Sequence, residues 1–234
     1  ISQTFLKFQD YRQILSQRLG SQNTYNKQEG NPVGADGYSI GYGRYAVDVL
    51  VPAFLAAYTG QDPNKVALIK EQNTNIKSNP FSGILPKPNW RLTYNGLSKI
   101  PGLEKIFTNF SITHAYNASL SMNSFTSALD YQDVSHYDYP SFIDTVSKNY
   151  IPFFLVPNVT IQEQFAPLIG LDMTFTNQLS LKFDYTKQRQ LSLSLVDFQL
   201  SEVRSSQITF GGSYRKKGIK LPFKIPFSKS DTKT

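Results

Sequence analysis

The sequence of 234 residues contains no cysteine, only two histidines and one tryptophan. Without cysteine there can be neither a disulfide framework nor a thiolate site. The two histidines, His114 and His136, lack the spacing of metal ligands, so we expect no metal site. No other group of residues has a catalytic pattern. We therefore expect neither enzymatic activity nor a cofactor.

Long apolar runs are also missing. The longest uncharged apolar run, residues 49–58, is interrupted by Pro52. A membrane-spanning helix needs roughly 20 apolar residues, and the mean hydropathy is only −0.33, so the sequence does not indicate a helical membrane protein. Transmembrane barrels escape this test because only alternate residues of their strands are apolar.

The formal net charge is +7, but most basic residues are scattered. They cluster only from Arg215 to Lys233, where Asp231 is the single acid. We interpret residues 218–234 as a solvated basic loop or tail, with phosphate binding as the less favoured alternative. No nucleic-acid partner is expected.

The most informative stretch, residues 88–125, predicts a strand, a short helical connector and a long strand. Trp90, Leu92 and Tyr94 alternate with polar residues, and Gly96 ends the pattern. Alternation resumes at residue 110 and keeps its phase to residue 122. Strands of soluble proteins are mostly about 5–6 residues long, whereas a transmembrane strand needs roughly 9–11. The pattern thus favours a membrane barrel; the alternative is a strand of a large soluble sandwich.

Residues 158–217 continue the alternation, with apolar side chains on odd positions and polar ones on even positions. We predict antiparallel strands joined by turns at 176–178 and 186–190, a bulge near 196–197 and a further strand over 207–214. Pro167 indicates a bulge, an edge or a strand break, because proline cannot donate to a ladder.

In a barrel, the odd residues of this region would face lipid, and their even neighbours the lumen or the protein interior. The predicted lipid-facing residues are Leu171, Met173, Phe175, Leu179, Leu181, Phe183, Leu191, Leu193 and Leu195.

The first 87 residues predict a helix- and loop-rich segment, either extramembrane or lumenal. An amphipathic helix is expected within 1–28, with Gly20 at its end. Residues 30–45 carry five glycines and predict a turn-rich loop with packed tyrosines. A buried helix within 47–58 is expected to begin near Pro52.

Residues 126–157 predict a long loop rich in tyrosine. Irregular loops of more than about a dozen residues are usually functional or disordered, and the aromatic content argues against disorder. We expect Tyr131, Tyr137, Tyr139 and Phe142 to contact a partner protein or to gate an exit. Self-packing that merely caps a barrel is the alternative.

Three segments resemble the C-terminal part of the SprA/Sov family, the gliding-motility and type IX secretion outer-membrane translocons of Bacteroidetes. They are DVLVPAFLAAYTG (48–60), PNWRLTYNGLSKIPGLEKIFTNFSITHAYNASLSMNSF (88–125) and EQFAPLIGLDMTFTNQLSLKFDYTK (163–187). The resemblance covers most of residues 38–214. It implies an all-β fold: a segment of a very large transmembrane β-barrel with short helical insertions in the N-terminal third.

The resemblance also implies a function. The chain would be part of the protein-conducting channel in the outer membrane, which exports folded cargo proteins and supports gliding motility. The implied partners are the remainder of the barrel chain, a shuttle-type outer-membrane barrel protein, a periplasmic plug protein, secreted cargo proteins and outer-membrane lipid.

Because 234 residues are too few for such a barrel, we expect a fragment. Two alternatives remain: a porin- or receptor-type barrel for small solutes, and a soluble β-rich binding module.

Overall fold

The computed structural model describes residues 3–68, 89–123 and 126–216, so the predicted basic tail over 218–234 lies outside the described residues. The structure is mostly β-sheet with a few helices. The α-helices are α1 (Gln3–Gln22), α2 (Thr24–Gln28) and α3 (Val47–Thr59). The strands are β1 (Trp90–Tyr94), β2 (Phe107–Asn123), β3 (Thr126–Ser127), β4 (Phe154–Leu155), β5 (Asn158–Phe175), β6 (Leu179–Ser194) and β7 (Gln199–Tyr214). Leu97–Lys99 form a short 3-10 helix between β1 and β2.

Five strands form one antiparallel sheet in the spatial order β1-β2-β5-β6-β7. The two remaining strands, β3 and β4, pair with each other. Within the described residues the sheet is open, with β1 and β7 at its edges. The prediction of a mainly β, antiparallel fold with helices in the N-terminal third is confirmed at this level.

The chain divides into two compact units. The helical unit comprises Ile1–Trp90, Tyr116–Gln164 and Gln188–Ser205, and the sheet unit comprises Arg91–Ala115, Phe165–Lys187 and Ser206–Thr234. All five strands of the large sheet contribute residues to both units.

The core of the helical unit surrounds α3, whose residues 48–57 are all buried. Phe8, Leu15 and Leu19 of α1 pack in this core, and the Phe8 and Phe54 rings meet edge-on at 6.4 Å between centroids. Val159 and Ile161 of β5 complete it. No helix among the described residues is both long and apolar enough to cross a membrane.

Leu191, Leu193 and Leu195 also lie in this core, so the prediction that they face lipid is wrong. Their alternation is that of a strand with one buried face, and a protein core and a lipid layer both produce this pattern. Here the helices supply the apolar partner.

Two predicted helix boundaries are wrong. The helix α1 continues past Gly20 to Gln22, because Gly20 serves a close approach rather than a helix end: a Cβ there would lie 2.5 Å from Ser39 Cβ. The helix α3 begins at Val47 rather than near Pro52, which lies inside it. At its other end Gly60 has a positive φ of 75° and caps the helix.

The predicted turn at 186–190 does not exist, since β6 is continuous from Leu179 to Ser194. The polar residues at 186–190 are part of the strand. One of them, Arg189, pairs with charged side chains of both neighbouring strands. The Arg189 guanidinium lies 2.8 Å from Glu202 Oε1 and 3.6 Å from Glu163 Oε2.

The hairpin turn at 176–178 is confirmed, with a positive φ at Gln178. The predicted bulge near 196–197 is instead the turn 195–198, and β7 begins at Gln199 rather than at residue 207. Pro167 lies within the unbroken strand β5, which is central in the sheet, so neither the predicted edge nor the break occurs.

Gly20→Ala tests the close approach in α1. A helix normally gains up to about 1 kcal/mol from alanine in place of glycine, but overpacking against Ser39 should cost about 1–3 kcal/mol. We expect net destabilisation of α1, measured by hydrogen exchange of its amides in the assembled protein. Adding Ser39→Gly should restore part of the loss, because Ser39 Oγ has no hydrogen-bond partner among the described residues. A single variant as stable as wild type would contradict the packing.

Candidate functional site

One face of the sheet unit is apolar and exposed to solvent. Apolar residues recur at every second position along most of these strands, and contacts join them across strands: the Phe107 and Phe175 rings are 4.7 Å apart. Gly212 also lies over the Leu181 side chain. Its most exposed residues are Leu92, Tyr94, Ile169, Ile208, Phe210 and Tyr214. Soluble monomers rarely expose apolar patches of more than a few hundred Å².

The alternate positions of the same strands are polar. Thr93 Oγ1 and Thr113 Oγ1 are 3.5 Å apart, and Lys182 Nζ lies 3.4 Å from Asp184 Oδ2. Thr113, Lys182 and Asp184 line a cleft of about 410 Å³. Its polar wall consists of Arg91, Ser111, Thr113, Asp172, Lys182, Asp184, Thr186, Gln207 and Thr209. The sheet unit thus presents one apolar and one polar, indented surface.

Six of the nine predicted lipid-facing residues lie in the sheet unit, on β5 and β6, and are half-buried. They are Leu171, Met173, Phe175, Leu179, Leu181 and Phe183. Contact of these six with lipid stays a prediction. The other three, Leu191, Leu193 and Leu195, are the core residues of the helical unit described above.

The long loop belongs to the helical unit and is closed by pairing of β3 with β4. It is anchored at Tyr150, whose OH donates to Asn26 Oδ1 at 2.6 Å and whose backbone N–H donates to Gly41 O. Burial raises the pKa of Tyr150 to about 12, so this hydroxyl stays protonated and keeps donating. Gly41 has a positive φ of 80°, and any Cβ there would collide with the Tyr150 ring.

Asp133 organises the outer part of the loop. Its carboxylate accepts hydrogen bonds from Tyr25 Oη at 2.6 Å and from the backbone N–H groups of Tyr137 and Asp138. Burial by itself raises the pKa of Asp133, but these hydrogen bonds outweigh it and hold the pKa below its usual range. The Tyr25 hydroxyl in turn accepts from the Ser135 N–H.

The four predicted loop aromatics have different environments. Tyr131 packs edge-on against Phe153, and Tyr139 Oη donates to Gln22 Oε1 at 3.4 Å. The Tyr137 ring contacts the Tyr25 ring at a tilt of 53° but remains 38% exposed, and Phe142 is 47% exposed. The first two therefore stabilise the loop, whereas the other two present apolar surface to solvent.

Three aliphatic residues of the loop are more exposed than its aromatics, and no local sequence pattern distinguishes them. Leu129, Val134 and Val146 all project into solvent. The same loop contains non-glycine residues with positive φ, including His136 and Lys148, and the sequence offers no glycine signal for the turns there. No group of three or more His, Asp or Glu side chains within 3–68, 89–123 and 126–216 could hold a metal ion.

A scan against protein-family models found no matching family, and a search of curated proteins found no match.

Asp133→Asn should loosen the loop, because an amide cannot replace a carboxylate that accepts from both oxygens. The lowered pKa means that Asp133 stabilises the folded loop above its ordinary pKa, and that this stabilisation is lost as the pH falls through the lowered value. Hydrogen exchange of residues 130–142, corrected for intrinsic rates, should rise in wild type below about pH 4. The variant should exchange rapidly at every pH.

The matched control is Asp130→Asn, which removes the same charge from an exposed position of the same loop. Hydrogen exchange of the loop in this variant should equal that in wild type. Equal exchange in both variants would show that Asp133 does not hold the loop.

Proposed function

We propose that the chain forms part of the wall and loops of the protein-conducting outer-membrane channel of the type IX secretion system. It thereby helps to export folded cargo proteins and supports gliding motility. The proposal combines the resemblance to the SprA/Sov family with one structural observation. That observation is the sheet unit's exposed apolar face opposite a polar face.

A lipid layer would cover the apolar face. Leu92, Phe210 and Tyr214 are each more than half exposed, and water is an unfavourable partner for such a surface. The polar face, with its hydroxyl and charged side chains, suits a water-filled lumen. Strands of a larger barrel would pair with the edges β1 and β7, because only a closed barrel satisfies every backbone group in a membrane.

The exposed residues of the loop are the proposed contact for a partner protein. Apolar and aromatic side chains on an ordered loop suit a protein interface, since little entropy is lost when they bind. The proposed partners are the shuttle-type barrel protein, the periplasmic plug protein and the cargo itself. A porin-type barrel would have the same wall with one apolar and one polar face. Measuring both the export of cargo proteins and the uptake of small solutes therefore distinguishes the two functions.

A lysine pair tests the wall. Leu181→Lys should cost about 2–4 kcal/mol if the residue lies near the middle of the bilayer. Ser180→Lys should be mild, because Ser180 lies on the polar face, with its Oγ 3.3 Å from Thr174 Oγ1. We expect the first variant alone to lower the amount of folded protein in outer membranes and the secretion of cargo. Equal tolerance of both lysines would contradict a membrane wall.

Serine variants of the loop aromatics test the partner surface. Tyr137→Ser with Phe142→Ser removes exposed apolar surface, so assembly should be normal while partner co-purification or cargo export falls. Tyr131→Ser with Tyr139→Ser removes packing and should loosen the loop itself. Wild-type partner retention and export in the first double variant would show that the exposed pair has no role in binding.

A further inference from the structure

A continuous row of side chains crosses all five strands of the large sheet. Its aromatic half joins β1, β2 and β5: the Trp90 ring stacks on Tyr116 at 4.6 Å, and Tyr116 Oη donates to Glu163 Oε1 at 2.9 Å. Its charged half continues from Glu163 to Arg189 on β6 and to Glu202 on β7. Arg204 ends the cross-strand row with a guanidinium 2.6 Å from Glu202 Oε1.

The charges of the cross-strand row balance. It contains two carboxylates and two guanidiniums, and each carboxylate has an arginine partner. Arg204 is the most exposed, at 66% of its side chain. Ion pairs of this kind are costly in hydrocarbon but tolerable where water or polar headgroups reach them.

The environment along the strands changes at the cross-strand row. Two residues to one side of it, Ile161 on β5 and Leu191 on β6 are buried in the helical unit's core. On the other side, β5 continues with the apolar positions of the sheet unit, and β7 carries Ile208 and Phe210, both about two-thirds exposed. Apolar residues are therefore buried in a protein core before the row and half-buried or exposed after it.

We propose that the cross-strand row marks the aqueous boundary of the lipid layer, with its exposed members, Trp90 and Arg204, among lipid headgroups. This rests on the proposed membrane wall. Trp and Tyr are enriched at membrane interfaces because one part of each ring is apolar and the other polar. The balanced charges give the row no preference for anionic over zwitterionic headgroups.

The dimensions agree with this boundary. Twelve residues separate Glu163 from Phe175 at the end of β5. At about 3.3 Å per residue and a tilt of about 40°, they rise by about 30 Å, which matches an apolar band of about 25 Å with an interface.

Single cysteines on β7 provide the test, because the chain has no cysteine of its own. Arg204→Cys, Ile208→Cys and Phe210→Cys are matched: the native side chain of Arg204 is 66% exposed, and residues 208 and 210 are 67% and 69% exposed. Because the three positions are about equally exposed in this chain, a difference in native exposure would not explain different labelling. Arg204→Cys leaves Glu202 paired with Arg189. Thr209→Cys, on the polar face, is the control for access through the lumen.

The assembled protein is labelled in phosphatidylcholine vesicles with a membrane-impermeant maleimide, and each rate is divided by that of the same variant in urea. We expect position 204 to react at least about tenfold faster than 208 and 210, since lipid excludes the charged reagent. If position 204 reacts as slowly as 208 and 210, the proposed boundary is wrong but the proposed membrane wall is not contradicted. Equal, fast labelling of all three would overturn both the boundary and the proposed wall.

Discussion

The guanidinium of Arg189 ties three strands together by pairing with Glu163 on β5 and Glu202 on β7. Because side chains alternate between the two faces of a strand, a slip of one residue would reverse every apolar and polar position of β6. The ion pairs add a constraint on the register of β6 within the strand itself, six residues before the turn at 195–198. Both the buried leucines and the two faces of the sheet unit depend on that register.

Long strands allow one element to serve two environments. The strands β5, β6 and β7 have 18, 16 and 16 residues, whereas a tilted transmembrane strand needs only roughly 9–11. The excess residues belong to the helical unit, where α1 and α3 cover them. A strand of this length thus combines a protein core with a face that has no protein cover among the described residues.

The periodicity of the sequence predicted the strands well, since β1, β2, β5 and the turn at 176–178 all follow from local alternation. It could not distinguish what covers an apolar face, so Leu191, Leu193 and Leu195 were assigned to lipid although helices bury them. The partner of a strand face is a tertiary property, and no local pattern contains it.

Polar stretches were the second source of error. A run of polar residues predicts a turn when its side chains are solvated, but around Arg189 the run is polar because of cross-strand ion pairs. Gly20 shows the same limit: the sequence identifies a glycine, but whether it ends a helix or admits Ser39 depends on a segment nineteen residues away. In the loop, the composition predicts an ordered segment rich in aromatic residues. It does not predict which rings are packed and which are exposed, because that depends on the contacts with Tyr25 and Phe153.

The pairing of β3 with β4 joins the two ends of the loop where it leaves the long strands β2 and β5. Beyond that pair, the turn from Asp144 to Lys148 is closed locally, by the Ser147 N–H on Asp144 Oδ2 and the Lys148 N–H on Asp144 O. Its tip at Val146 is almost fully exposed, and each doubling of loop length costs only about 0.6 kcal/mol of closure entropy. This tip can therefore accept an inserted epitope or fluorescent domain without strain on the sheet, and related chains can diverge there in length while their strands stay in register.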